Sequence, residues 1–108
     1  MEICVLQRVR PEFASVQFLI LGKPKVGAQP LQDREAANKA AKAALEKWLA
    51  DGTLDFSYQL IGGGGVGIAN ADTAEDLLRA MWSYPLYSQF EWHVEPLVES
   101  LKAFELFD

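Results

Sequence analysis

The chain has 108 residues, of which half are hydrophobic and 23% are charged, with a formal net charge of -5. This length predicts a single domain over residues 1–108, and an acidic chain without a basic cluster argues against nucleic acid or an anionic membrane as a partner. The lone cysteine, Cys4, excludes an internal disulfide and a thiolate metal cage, and the lack of a signal peptide or a long apolar run makes a cytoplasmic protein the expectation.

The first part of the chain predicts one strand, which follows a segment with only weak alternation of apolar and polar residues. Residues 1–13 alternate only loosely between apolar and polar, so they could form an edge strand or an arm laid on a neighbouring subunit, and we treat them as an N-terminal extension. Residues 14–22, ASVQFLILG, form a β-rich apolar run that predicts a central strand buried on much of both faces. The proline-rich and glycine-containing segment 23–30 then predicts a loop.

A helix is predicted over residues 31–51 by its helical periodicity. Alanines share one side with Leu45 and Trp48, while charged residues occupy most of the other side. Small side chains let a helix lie close to a sheet, and Gly52 stands where a C-terminal cap is expected. The pattern therefore predicts a core-facing helix.

Two strands joined by a glycine-rich turn are predicted next. Residues 54–61 alternate with Leu54, Phe56, Tyr58 and Leu60 on one side, and residues 66–71 form a short apolar strand. Glycines at positions 62, 64 and 67 match the G-x-G-x-x-G spacing of dinucleotide sites, but that motif needs a helix after its last glycine. Because a strand is expected there, the glycines predict a hairpin turn and no nucleotide cofactor.

A second helix and a fourth strand complete the pattern. Asp72, with Glu75 three residues later, predicts the N-terminal cap of a helix with one apolar stripe, and Pro85 predicts its end near Ser83. The segment from Phe90 to Glu95 alternates apolar and charged residues as a half-buried strand does, and Pro96 is expected to close it. Residues 98–108 are predicted to form a C-terminal arm, either as a helical turn or as an extended segment. The arm is too apolar to remain in water, so we expect it to dock on another surface.

The order of these elements is βαββαβ. It predicts an α+β fold of the ferredoxin-like split βαβ type, an antiparallel four-stranded sheet with two helices on one face. A sheet of this type often dimerises through its open face and closes a barrel with a partly polar interior. We therefore expect a homodimer or a larger homo-oligomer, with a cavity inside the barrel.

The best candidate site lies on the fourth predicted strand. Alternate residues of a strand share a face, so Glu91 and Glu95 would flank His93 on the open face. Flanking carboxylates favour a protonated imidazole, which suits a general acid or base. Four polar residues of the first two strands are expected beside them, as possible ligand contacts or simple polar neighbours: Gln17, Asp55, Ser57 and Gln59.

Three interpretations of this polar face remain open. Its side chains could be solvated or bond between subunits, they could line a ligand pocket, or His93 could be catalytic. A metal site is not expected, because one histidine and one cysteine leave no recognised ligand spacing.

Beyond these patterns, the chain resembles the muconolactone isomerase-like family of dimeric α+β barrels over roughly residues 14–97. The resemblance rests on Asp51-Gly52-Thr53 before a strand with Tyr58-Gln59-Leu60-Ile61-Gly62, on Asn70-Ala71-Asp72-Thr73-Ala74-Glu75 at the second helix, and on Tyr84-Pro85-Leu86-Tyr87 before a strand ending in Glu95-Pro96-Leu97.

The resemblance implies a homo-oligomer of barrel dimers that binds a small lactone or aromatic-derived metabolite and works without a cofactor. The enzyme that names the family moves a double bond in an unsaturated lactone by a proton shift. On that model His93, Glu91 or Glu95 would transfer the proton, and Lys23 or Arg34 would bind a substrate carboxylate. The rival functions are a cofactor-independent monooxygenase of the same fold and a non-catalytic module for ligand binding or assembly.

Overall fold

The computed structural model describes residues 16–107 and contains a four-stranded sheet with helices. The expectations for residues 1–13 therefore lie outside the described residues. The strands are β1 (Val16–Pro24), β2 (Leu54–Gln59), β3 (Gly65–Ala71) and β4 (Phe90–Leu97), and the helices are α1 (Arg34–Asp51), α2 (Ala74–Ser83) and the short α3 (Ser100–Glu105), with a 3₁₀ turn at Tyr87–Gln89.

The sheet has the strand order β2-β3-β1-β4, and every neighbouring pair is antiparallel. In β1, Phe18 is paired with Ala69 of β3 and with Pro96 of β4. The predicted ferredoxin-like arrangement is confirmed. The strand β1 is central as predicted, but most of its residues are only half-buried or exposed, because the described helices α1 and α2 cover one face of the sheet.

The hydrophobic core lies between the sheet and the two main helices. Phe18, Leu54, Ala69 and Leu77 form its buried cluster, with side chains of α1 such as Trp48 packed against it. The alanine side of α1 faces the sheet as predicted, since Ala41 is buried. We call this side of the sheet the helix-covered face and the other side the open face. No helix in the range 16–107 is long and apolar enough to cross a membrane.

The cap of α2 differs from the sequence-based prediction. The N-cap residue is Thr73 rather than Asp72, and its hydroxyl accepts a hydrogen bond from the backbone N–H of Asp76 at 3.1 Å. Thr73 has the extended backbone of a cap residue, so the hydroxyl reaches the N–H three positions on. The helix ends at Ser83, as Pro85 predicted.

The alternation predicted for β2 is wrong because the strand contains a β-bulge. The pairing with β3 shifts between Leu54 and Phe56, so Asp55 is an extra residue. After the bulge, Ser57 and Gln59 lie opposite Gly67 and Gly65. The helix-covered face thus receives Leu54, Ser57 and Gln59, whereas Phe56 and Tyr58 lie on the open face.

The end of the chain also departs from expectation. β4 continues through Pro96 to Leu97, and a proline is tolerated there because β4 is an edge strand among the four described strands. The arm then forms the short helix α3. Its apolar side chains, among them Leu101, Phe104 and Phe107, are exposed in the protomer rather than docked.

The glycine-rich segment forms the predicted turn between β2 and β3. The backbone N–H of Leu60 donates to the carbonyl of Gly64 at 2.9 Å, and that of Gly63 donates to Leu60 at 2.9 Å. Gly64 has a φ of 91°, and a Cβ there would overlap the carbonyl oxygen of Gly22 on the adjacent strand. The turn therefore requires glycine at this position for two independent reasons.

We predict that Gly64→Ala destabilises the fold. The alanine would have to adopt a left-handed backbone conformation, and its Cβ would clash with the backbone of Gly22. The free energy of unfolding should fall by about 2 kcal/mol or more in urea denaturation. Gly62→Ala is the matched control, since Gly62 has no positive φ and an added Cβ would meet nothing within 4 Å. Equal stability of the two variants would contradict this account of the turn.

Candidate functional site

A cavity of about 100 Å³ lies between the sheet and the helices. Its floor is made by β-strand residues and its roof by side chains of α1 and α2, including Leu45, Trp48, Ala80 and Met81. A concave site with a mainly apolar lining and a few polar groups is the usual form of a small-molecule site. The cavity is therefore the first candidate for a functional site.

Three residues of the cavity floor are glycines within strands. Gly22 of β1 is paired with Gly65 of β3, and Gly67 lies two positions further along the same strand. None of them places a side chain between the sheet and the helices. Glycine weakens a strand, and in strands it often marks a close approach by another group. Here the close neighbours are parts of the chain itself, because a Cβ at Gly22 would meet the indole of Trp92 and a Cβ at Gly67 would meet the carbonyl oxygen of Phe56, each at 2.8 Å.

An aromatic wall stands at the β4 side of the cavity. The ring of Trp92 lies against Gly22, where a Cβ would come within 2.8 Å of the indole Cζ3. The indole N–H donates to the carbonyl of Tyr87 at 2.9 Å, and the Tyr87 ring stacks on it with centroids 5.9 Å apart. Phe90 packs against the same indole at 5.5 Å. These contacts fix the orientation of Trp92.

Tyr84 connects this wall to the helices. Its ring lies 5.9 Å from the ring of Trp48 and 6.2 Å from that of Trp92. Burial raises the pKa of the Tyr84 phenol above its ordinary value of 10.0, because the charged form loses hydration. Tyr84 therefore lines the cavity as a neutral hydroxyl group.

The described lining of the cavity contains no charged side chain. Its polar groups come from Thr53, Ser57, Gln59 and Tyr84. Within residues 16–107 there is also no group of three or more His, Cys, Asp or Glu residues placed to hold a metal ion. What the described lining offers is hydrogen bonding and apolar contact.

The residues predicted from β4 lie on the open face of the sheet. His93 Nε2 is 3.0 Å from Glu95 Oε1, and the two side chains are 60% and 55% exposed. Glu91 lies two positions before His93 on the same side, opposite Lys23 of β1. The structure thus brings His93 and Glu95 together, as the strand alternation predicted, but on the side away from the cavity.

The other predicted residues are divided between separate places. Ser57 and Gln59 were expected beside His93, but the β2 bulge turns them to the helix-covered face, where they line the cavity. Gln17 is on the open face, and its side-chain amide donates to Asp55 at 2.8 Å. Lys23 and Arg34 are exposed and neither lines the cavity.

Sequence reasoning missed the features that form the cavity. The glycines at positions 22, 65 and 67 were the available signal, because they interrupt strands at positions where side chains would normally pack. The alternation of β4 already predicts that Trp92 faces the helices, as it does, whereas the position of Tyr84 beside it depends on how the chain folds back after α2.

Comparison with known proteins supports the fold. No protein-family model and no curated protein sequence matches the chain. Among solved structures, it is similar to 5-chloro-2-hydroxyhydroquinone dehydrochlorinase (TftG) from Burkholderia phenoliruptrix AC1100, solved in complex with 2,5-dihydroxybenzoquinone. The TM-score is 0.61 at 22% sequence identity, covering 77% of this chain and 94% of that one. At this level of identity the likeness concerns the fold, and it supports the α+β architecture described above.

We predict that the half-buried phenol of Tyr84 makes the protein less stable in alkali. Because its pKa is raised in the folded state, stability is fully present below the pKa of the unfolded chain and is lost as pH rises beyond it. Urea denaturation at about pH 8 and about pH 11 should show a smaller loss of unfolding free energy for Tyr84→Phe than for the parent protein. An equal loss in both proteins would count against burial of this hydroxyl.

Proposed function

We propose that this protein binds a small aromatic-derived or lactone-like metabolite in the cavity between the sheet and the helices. The observation that carries the proposal is the cavity itself. It has a backbone floor, an oriented aromatic wall and a few polar groups, and such sites bury ring-shaped ligands. The solved structure of similar fold holds a small quinone, which supports the same size and class of ligand for this chain.

We further propose that the protein works as a homodimer, joined through the open face. This face carries an apolar centre that includes Leu19, Leu21, Phe56, Ile68 and Tyr58. Tyr58 is 65% exposed in the protomer. Apolar patches of this kind mark association surfaces, and pairing two such sheets would close a barrel. The resemblance to the muconolactone isomerase-like family supports this assembly, and a cytoplasmic location stays a prediction.

We predict that filling part of the cavity weakens ligand binding. Ala80 lines the cavity from α2, so Ala80→Leu should weaken binding of hydroquinone, used as a probe, at least tenfold in isothermal titration calorimetry. The matched control is Ala43→Leu on the exposed side of α1, which should bind like the parent protein. Circular dichroism establishes that both variants are folded. Unchanged binding by folded Ala80→Leu, or no binding by the parent, would contradict the proposal.

A second candidate function is a proton-shift isomerase, and the pairing of His93 with Glu95 favours it. An imidazole beside a carboxylate can take a proton next to a carbonyl and return it elsewhere. This reaction would take place in the interior of the barrel, between two open faces, and not in the cavity beneath the helices. The cofactor-independent monooxygenase and the non-catalytic module remain the alternatives if no proton shift is found.

For the isomerase we predict that His93→Gln removes activity while leaving the oligomer intact. The assay follows the conversion of α-angelica lactone, a β,γ-unsaturated lactone, to its α,β-unsaturated isomer by nuclear magnetic resonance. Glu95→Gln should slow the reaction, whereas Glu99→Gln, which alters a carboxylate beyond the end of β4, should not.

Light scattering measures the mass of the same samples. The parent and His93→Gln should both have at least twice the 12.0 kDa mass of the chain. Full activity of His93→Gln would remove His93 from the mechanism. A monomeric parent would argue against the barrel dimer, and a change of mass in His93→Gln alone would indicate a role in assembly.

A further inference from the structure

We propose that the ligand of the cavity is an uncharged, flat, single ring whose oxygen substituents bond to Ser57 and Gln59, and that a carboxylate on the ring is rejected. The inference rests on the proposed function and makes it more specific. The inference distinguishes this cavity from a site for lactones that carry a carboxylate, because such a site needs a cationic group to bind the carboxylate.

The charge of the ligand follows from the lining. Among the described residues around the cavity, none is Lys, Arg, Asp, Glu or His. A carboxylate that leaves water without a cationic partner or several hydrogen bonds loses far more hydration energy than the site returns. Lys23 and Arg34, the two cations suggested for such a group, lie outside the lining. An uncharged ligand avoids this penalty.

The shape of the ligand follows from the floor and the wall. Gly65 and Gly67 line the cavity with backbone, and the indole of Trp92, which lies over Gly22, is held in one orientation by its bond to Tyr87. The volume of about 100 Å³ is below the ~150 Å³ of an engineered core cavity that binds benzene. A single ring is therefore the largest rigid group that fits.

The polar edge lies along β2. Ser57 and Gln59 share the helix-covered face, so their side chains emerge about 7 Å apart along the strand. A serine hydroxyl and a glutamine amide can each donate and accept hydrogen bonds. They can therefore bond to hydroxyl or keto oxygens alike, whereas neither compensates a full negative charge.

The experiment compares hydroquinone with 2,5-dihydroxybenzoate, which adds one carboxylate to the same ring, by isothermal titration calorimetry at neutral pH under reducing conditions. We expect hydroquinone to bind at least tenfold more tightly. Equal or tighter binding of the benzoate would overturn this inference and leave the proposed function standing. If neither compound binds, or if Ala80→Leu leaves hydroquinone binding unchanged, the proposed function fails and the inference fails with it.

A charge introduced at the polar edge provides the complementary test. Gln59→Lys should tighten binding of 2,5-dihydroxybenzoate at least tenfold, because the ammonium group supplies the missing partner. Gln32→Lys, at an exposed position before α1, adds the same charge outside the lining and should leave the ratio of the two affinities as in the parent. An equal gain in both variants would show attraction by overall charge and overturn the assignment of Gln59 to the ligand.

Discussion

The extra residue at Asp55 determines which side chains line the cavity. Asp55 accepts hydrogen bonds from the side-chain amides of Gln17 and Asn70, both at 2.8 Å, and Asn70 also donates to the carbonyl of Gly52 at 3.0 Å. These bonds join β1, β2, β3 and the end of α1 around the bulge. A shift of one residue turns every later side chain of a strand to the other face. Without the bulge, the side chains of Phe56 and Tyr58 would lie on the helix-covered face in place of Ser57 and Gln59.

The cavity exists at a cost to packing. Glycine within a strand forfeits side-chain contacts and loses more backbone entropy on folding than other residues, about 0.5–1 kcal/mol each relative to alanine. Three such residues stand together at 22, 65 and 67, under helices that otherwise pack small alanines close to the sheet. Larger residues would not fit at two of these positions, because a Cβ at Gly22 would clash with the indole of Trp92 and a Cβ at Gly67 with the carbonyl oxygen of Phe56. The glycines therefore let the indole lie directly on the sheet, where it forms one side of the cavity.

The sequence determined the architecture well because its signals were local. The periodicity of α1 and α2, the alternation of Phe90 to Glu95 and the glycine turn each specify one element, and their order specifies the sheet. The failures arose where distant groups decide the outcome. At the bulge, Asp55 bonds to Gln17 and Asn70, which are distant from it in sequence, and at α2 the extended backbone of Thr73 makes it the cap in place of Asp72.

The sheet separates two kinds of chemistry, and this separation limits the mechanism. A single layer of backbone lies between the His93 and Glu95 pair on the open face and the cavity under the helices, so a ring bound in the cavity cannot meet the imidazole of its own subunit. A partner that covered the open face would enclose His93 but would not bring it to the other side. Proton transfer by His93 therefore requires a ligand between two sheets. Binding in the cavity requires only the neutral hydroxyl and amide groups already present there.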